Sequence, residues 1–187
     1  MAGVKLNPIL QRVRGKVGDL IFKRLNGTMF IARKPDVGKR VLSPAQVAVT
    51  ERFRQAVSYG KMAMADPLAR AAYQQAAQEK KRPVFSLMIA DFFNTPSVDE
   101  IDLSAYTGQT GNTIAVRATD DFEVMSVDVK ITNMAGDSVE GGPAVKSAES
   151  GRWVYTASTS VPPGTQLRVE VTATDRPGHK TTRTENV

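Results

Sequence analysis

Around Asn94-Thr-Pro-Ser97 the spacing of apolar residues changes from about 3.6 to about 2. A helical period and a strand period cannot share one regular element. The chain therefore reads as an α+β N-terminal unit over residues 1–95, a β-hairpin plus about three helices, followed by an all-β sandwich over residues 96–187. At 187 residues the length accommodates two small domains.

Upstream of the switch, Val17 to Arg24 and Thr28 to Lys34 are apolar, β-branched and aromatic runs joined through Leu25-Asn26-Gly27, and Asn-Gly is a hairpin turn signal. Gly15 and Gly18 predict a turn or a close backbone approach. Lys34-Pro35 ends the second strand, and Val37 to Leu42 is a candidate short edge strand. Ser43-Pro44-Ala45-Gln46 places a hydroxyl at the N-cap, proline at N1 and glutamine at N3. It opens a helix from Pro44 to about Met64, with Val49, Phe53, Ala56, Val57 and Gly60 on the inward face. Asp66-Pro67 opens a second helix to about Lys80, with Leu68, Ala72, Tyr73 and Ala76 inward. A third helix, Val84 to Phe93, is apolar through Phe85, Met88, Ile89, Phe92 and Phe93.

Downstream, Thr113 to Thr119, Val124 to Thr132, Trp153 to Thr159 and Gln166 to Thr174 alternate, as Val127, Val129 and Ile131 do against Asp128 and Lys130. That is the pattern of antiparallel strands with one buried face. Turn residues at Gly108–Gly111, Asp120-Asp121, Ala135-Gly136-Asp137, Gly141-Gly-Pro143 and Pro162-Pro-Gly164 divide this half into roughly seven strands. Trp153 is the expected core anchor.

The C-terminal part resembles bacterial immunoglobulin-like repeat domains through Arg117-Ala-Thr-Asp120-Asp121, Ser126 to Ile131, Gly151-Arg-Trp153-Val-Tyr155, Gly164 and Val171-Thr-Ala-Thr-Asp175-Arg-Pro-Gly178. The resemblance covers about Asp99 to Val187. It implies an Ig-like sandwich in which Asp175 and Gly178 form the Asp-x-x-Gly turn before the last strand; His179 stands where that superfamily more commonly has Asn. Gly15-x-x-Gly18, Arg33-x-Pro35 and Ser43-Pro44-x-Gln46 loosely resemble a group of uncharacterised bacterial proteins. Neither resemblance carries an activity, because sandwiches of this kind host many unrelated roles.

Charge is distributed unevenly. Residues 1–42 carry a net +8, residues 43–95 +3 and residues 96–187 −5. Such a split predicts modules with different partners, or a basic half of one copy meeting the acidic half of another. Arg12, Arg14, Lys16, Lys23, Arg24, Arg33, Lys34, Lys39 and Arg40 are the candidate contacts, either to nucleic acid or to a neighbouring subunit. Phe85, Ile89, Phe92 and Phe93 are candidates for a subunit seam, with central burial as the competing reading.

With no cysteine, Cys-ligated metal sites and thiol catalysis are excluded, a single histidine rules out a His-rich metal site, and that histidine, His179, sits in a predicted turn, where a surface turn residue is the expected reading. No Gly-rich phosphate loop has the required spacing. No enzyme activity, cofactor, metal or small-molecule substrate is expected. Asp120, Asp121 and Asp175 can converge at one end of the sandwich, where loop carboxylates sometimes hold Ca2+, but turn-forming aspartates are favoured there for their own backbone hydrogen bonds. No membrane span is expected, and Met1 to Asp19 lacks the apolar stretch of a signal peptide, so synthesis in the cytoplasm is expected. The leading expectation is a non-enzymatic structural or interaction subunit of a particle, filament or other bacterial or phage-like assembly, a homo-oligomer or a docked component. The alternative is a nucleic-acid-binding protein using the basic half.

Overall fold

The structure, a computed structural model, describes residues 15–25, 28–35 and 41–187. Among the described residues it is an α+β protein with three helices and antiparallel sheets. It divides into two compact units, Met1–Val47 and Ala48–Val187.

In the first unit, β1 (Gly15–Val17), β2 (Leu20–Leu25) and β3 (Thr28–Arg33) form an antiparallel meander in that order. The expected hairpin is β2–β3, with Leu25 opposite Thr28. Gly15 and Gly18 have positive φ (109° and 56°) and no atom that a Cβ would meet. Gly18 serves the β1–β2 turn and Gly15 opens β1, both by conformational freedom and not by close approach. Of the proposed edge strand, residues 37–40 lie outside the described set, and Val41 and Leu42 take no regular structure.

Helix α1 (Pro44–Ala65) starts on the expected capping box: the Gln46 side chain accepts from Ser43 N at 3.0 Å, and Gln46 N donates to Ser43 Oγ at 3.3 Å. Asp66 caps α2 (Pro67–Lys80) by accepting from Leu68 N. Helix α3 spans Val84–Phe93. The inward faces match the spacing only in part, at Ala56 and Gly60 of α1, Tyr73 of α2 and Met88 of α3. Ala56, Gly60 and Ala63 are buried in α1, Ala69, Tyr73 and Ala77 in α2, and Leu87, Met88 and Asp91 in α3. Val49 (69% exposed), Phe53 (52%) and Leu68 (83%) lie outside. Small residues won the contacts because they let helices approach closely: a Cβ on Gly60 would sit 2.9 Å from the Phe85 ring.

Two four-stranded antiparallel sheets follow. One has the order β4 (Ser97–Asp102), β5 (Thr113–Thr119), β9 (Trp153–Thr156), β8 (Val145–Lys146). The other runs β11 (Lys180–Asn186), β10 (Leu167–Asp175), β6 (Val124–Asn133), β7 (Ser138–Pro143). Val98, Ile114, Val116, Trp153 and Tyr155 from the first sheet share one core with Val127, Val129, Ile131, Val169 and Val171 from the second. Apolar burial of this kind stabilises at roughly 25 cal/mol per Å2 removed from water. Glu140 on β7 ties the sheets at their margin. Its Oε2 accepts from the Tyr155 hydroxyl (3.1 Å) and from the Ser158 (2.8 Å) and Thr159 (3.1 Å) amides. Gly141–Pro143, expected to be a break, belongs to β7, and Gly141 is needed because a Cβ there would lie 2.7 Å from the Val129 carbonyl oxygen.

The 95/96 change of period falls inside the second compact unit and marks a change of secondary structure. The reason is contact across it. The Tyr73 ring stacks on Phe122 with centroids 4.1 Å apart, Phe92 meets His179 edge-on at 5.1 Å, and Lys80 Nζ donates to the Asp121 carbonyl at 2.6 Å.

Candidate functional site

Two features stand out: the exposed first sheet and a buried polar cluster where the helices meet the sheet turns.

In antiparallel sheets, residues paired in register share a face. Val17 pairs with Leu20 and Phe22 with Ile31, so these four lie on one face, with Arg33 opposite Leu20. Lys16 pairs with Ile21 and Lys23 with Phe30, which puts both lysines on the other face. The predicted basic residues are thus divided: Lys16 and Lys23 on one face, Arg33 on the other, and Lys34 beyond the strand with its amide on the Asp19 carbonyl (2.6 Å). Arg24 pairs with Met29 in register. Arg12, Arg14, Lys39 and Arg40 lie outside the described residues. Phe22 and Phe30 fall on opposite faces, each only half-buried, so they make no continuous stacking platform.

The proposed seam residues on α3 find partners within the chain. Phe85 and Ile89 border Gly60 of α1. Phe92 packs on Tyr59 (5.7 Å) and on His179, and Phe93 stacks on Phe53 (6.5 Å) beneath the Arg52 guanidinium (5.3 Å).

The polar cluster draws one residue from each helix. Tyr59 of α1 and Tyr73 of α2 share a hydrogen bond of 2.7 Å, and the Tyr73 hydroxyl donates to Asp91 Oδ2 of α3. Asp91 is 1% exposed, and its second oxygen, Oδ1, has no hydrogen-bond partner. Facing it, the β5–β6 turn supplies Asp120 and Asp121; one oxygen from each of the three carboxylates lies within 4.8 Å of the others. Asp120 Oδ2 accepts from the Phe122 (3.2 Å) and Glu123 (3.0 Å) amides, an Asx turn, and Asp121 Oδ2 accepts from Asn94 Nδ2 (2.8 Å). Arg176 lies over the Tyr73 and Phe122 rings and pairs with Glu123 at 2.6 Å.

Burial pushes the Asp91 carboxyl up to about 7; the Tyr73 bond opposes this, and the charges of Asp120, Asp121 and Asp175 add to it. Burial, reinforced by Asp91, holds the Tyr73 phenol far above its ordinary range. Tyr59 is raised as well, chiefly by burial.

Asp175, weighed from sequence with Asp120 and Asp121, has a task of its own. Its Oδ1 accepts from the Gly178 and His179 amides and its Oδ2 faces His179 Nδ1 at 2.9 Å. Asp91 takes its place in the acidic group. Sequence reading passed over Asp91 because it is a single acid in an apolar helix, and only the polarity at that otherwise apolar position marks it.

No family model matches the chain, and no curated protein matches it. Among solved structures, an engineered protein studied as a target of the Northeast Structural Genomics Consortium is similar at 19% identity, over 56% of this chain and 26% of its own, with a TM-score of 0.37. A likeness at that score establishes neither fold nor function. No helix among the described residues is long and apolar enough to cross a membrane.

Proposed function

We propose that the chain is a non-enzymatic structural subunit that assembles with further copies of itself through its basic N-terminal sheet and displays an immunoglobulin-like domain. The observation that carries this reading is the first unit's exposure. Arg24 and Leu25 aside, none of its described strand residues is buried, although both faces carry large apolar side chains: Val17, Leu20, Phe22 and Ile31 on one, Ile21 and Phe30 on the other. A small sheet gains independent stability only by covering such a face. The first twelve residues of α1, Pro44 to Gln55, are all exposed and carry Val47, Val49 and Phe53 at the surface.

A second copy is the occupant that charge favours. The N-terminal 42 residues carry +8 and the C-terminal 92 residues −5, so head-to-tail contact is attractive. Head-to-tail contacts that do not close on themselves extend into filaments.

Strand order supports the Ig-like reading of the displayed part. Assigning β4 to β11 the letters A, B, C, C′, D, E, F and G gives A-B-E-D in one sheet and G-F-C-C′ in the other. That is the Ig partition with an added C′ edge. Trp153 lies on the E position and no cysteine is present, so the antibody-type Trp and disulfide pattern is not followed.

The test is the mass of nuclease-treated protein by light scattering across concentration, for wild type and for Leu20→Asp with Ile31→Asp. A discrete oligomer or filament that the double variant dissolves is expected. A monomer at all concentrations, with its apolar faces covered by the chain's own N-terminal residues, overturns the reading; a monomer that shifts only with added DNA or RNA moves the basic residues to nucleic acid.

A further inference from the structure

Acidic residues gather on many surfaces without binding anything, so the proximity of Asp91, Asp120 and Asp121 is not in itself a site. Two further observations change its meaning. First, Asp91 Oδ1 is buried and has no hydrogen-bond donor. A buried carboxylate oxygen without a partner is costly, and native proteins rarely leave one unless an ion or water completes it. Second, the three carboxylates are anchored alike. Each Oδ2 is held by donors: Asp91 by Tyr73, Asp120 by the Phe122 and Glu123 amides, Asp121 by Asn94. Among the described residues no hydrogen bond engages the Oδ1 of any of the three. Donors that fix one oxygen and leave the other free are how outer groups orient metal-binding carboxylates.

We propose that Asp91, Asp120 and Asp121 bind a hard divalent cation of the Ca2+ class, with the free oxygen of each as ligand and water completing the shell. Ca2+ suits a set of carboxylates completed by water, because it takes oxygen ligands at about 2.3–2.6 Å in flexible geometry, so two ligands on one ion lie at most about 4.6–5.2 Å apart, whereas Mg2+ demands near-ideal octahedral geometry. One oxygen from each of the three carboxylates lies within 4.8 Å of the others, inside the Ca2+ reach. The neighbouring Lys80 ammonium is committed to the Asp121 carbonyl, and Arg176 to Glu123. Asp121 is exposed, which gives the ion a way in, while Asp91 lies at the closed end. A bound ion joins α3 to the β5–β6 turn and fastens the helices to the sheets within the second unit.

The experiment uses the full chain after chelator treatment and dialysis. Ca2+ and Mg2+ are titrated by calorimetry, and Tb3+ is followed by its luminescence on tyrosine excitation, since Tyr73 touches Asp91. Expected are one saturable Ca2+ site, a higher Tm with Ca2+, and Tb3+ emission that Ca2+ displaces. Asp121→Asn weakens binding about tenfold or more, and Asp91→Asn abolishes the emission. Glu149→Gln, an exposed acid remote in sequence, changes neither. Should Asp91→Asn fail to fold, Asp121→Asn carries the test, because its side chain is exposed and an amide there keeps an acceptor for Asn94. Absence of saturable binding up to about 10 mM Ca2+, beyond the weakest sites of this type, overturns the proposal, as does binding that Asp121→Asn leaves intact. Tighter binding of Mg2+ than of Ca2+ overturns the choice of ion.

Discussion

The Tyr73 hydroxyl donates to one oxygen of the buried Asp91 carboxylate while accepting a second bond from the Tyr59 hydroxyl at 2.7 Å, so one phenol connects all three helices. Tyr73→Phe keeps the ring stack on Phe122 but removes both bonds. Leaving a buried carboxylate oxygen without its donor costs about 1–3 kcal/mol. Urea unfolding of Tyr73→Phe is expected to show that loss with an unchanged m-value. An unaltered midpoint contradicts the network's role.

The same carboxyl sets a pH dependence. Asp91 is pushed up to about 7, burial being the largest cause, whereas an aspartate in the unfolded chain titrates near about 3.9. Between these values the folded protein holds more protons than the unfolded one. The contribution to stability is therefore full below about pH 4 and is lost as pH rises through about 7. In chelator-treated protein, Tm should fall from pH 5 to pH 8 by more in wild type than in Asp91→Asn, whose amide does not titrate. Equal slopes contradict the assignment to Asp91.

Local chemistry was legible in the sequence where a few adjacent residues decide the outcome. Ser43 with Gln46, Asp66 with Pro67, and Asp175 with Gly178 each fixed a helix start or turn from groups within four positions. The helix ends and most of the strands followed from period and turn residues. What escaped is tertiary. The inward faces of α1 and α2 could be read only in part from apolar spacing: Ala56, Gly60 and Tyr73 are buried as expected, but Ala63, Ala69 and Ala77 are buried as well while Phe53 and Leu68 stay outside. Asp91 acquires its meaning from Tyr73, 18 positions away, and from a turn some thirty residues on.

Gly141 shows how a residue that punctuates loops can instead serve inside a strand. Alanine there would set its Cβ 2.7 Å from the Val129 carbonyl oxygen and 3.3 Å from Lys130 Cα, both backbone atoms that cannot swing aside. Gly141→Ala is expected to cost about 1–3 kcal/mol. Gly142→Ala, whose Cβ meets only the Tyr155 ring at 3.6 Å, is expected to cost less. Thermal unfolding of the pair checks the ordering, and equal Tm values contradict it.

Asp175 closes the turn into β11 from inside. Its side chain is fully buried in the pair with His179, and it receives the Gly178 amide at 2.7 Å and the His179 amide at 2.6 Å on one oxygen. Gly178 takes φ +95°, a conformation that this pair of bonds holds in place. Asp175→Ala removes both side-chain oxygens at once, leaving the His179 amide without its acceptor in this turn and the Gly178 amide with only its longer bond to the Asp175 carbonyl (3.3 Å), for an expected loss of about 2–4 kcal/mol. Asp175→Asn keeps one carbonyl oxygen for those amides and gives up mainly the charge opposite His179, so its loss should be the smaller. Amide hydrogen exchange separates a local from a global effect: in Asp175→Asn, Gly178 and His179 should keep their protection. If Asp175→Ala matches wild type in urea, the turn is held by the β10–β11 ladder alone and the aspartate contributes nothing to it.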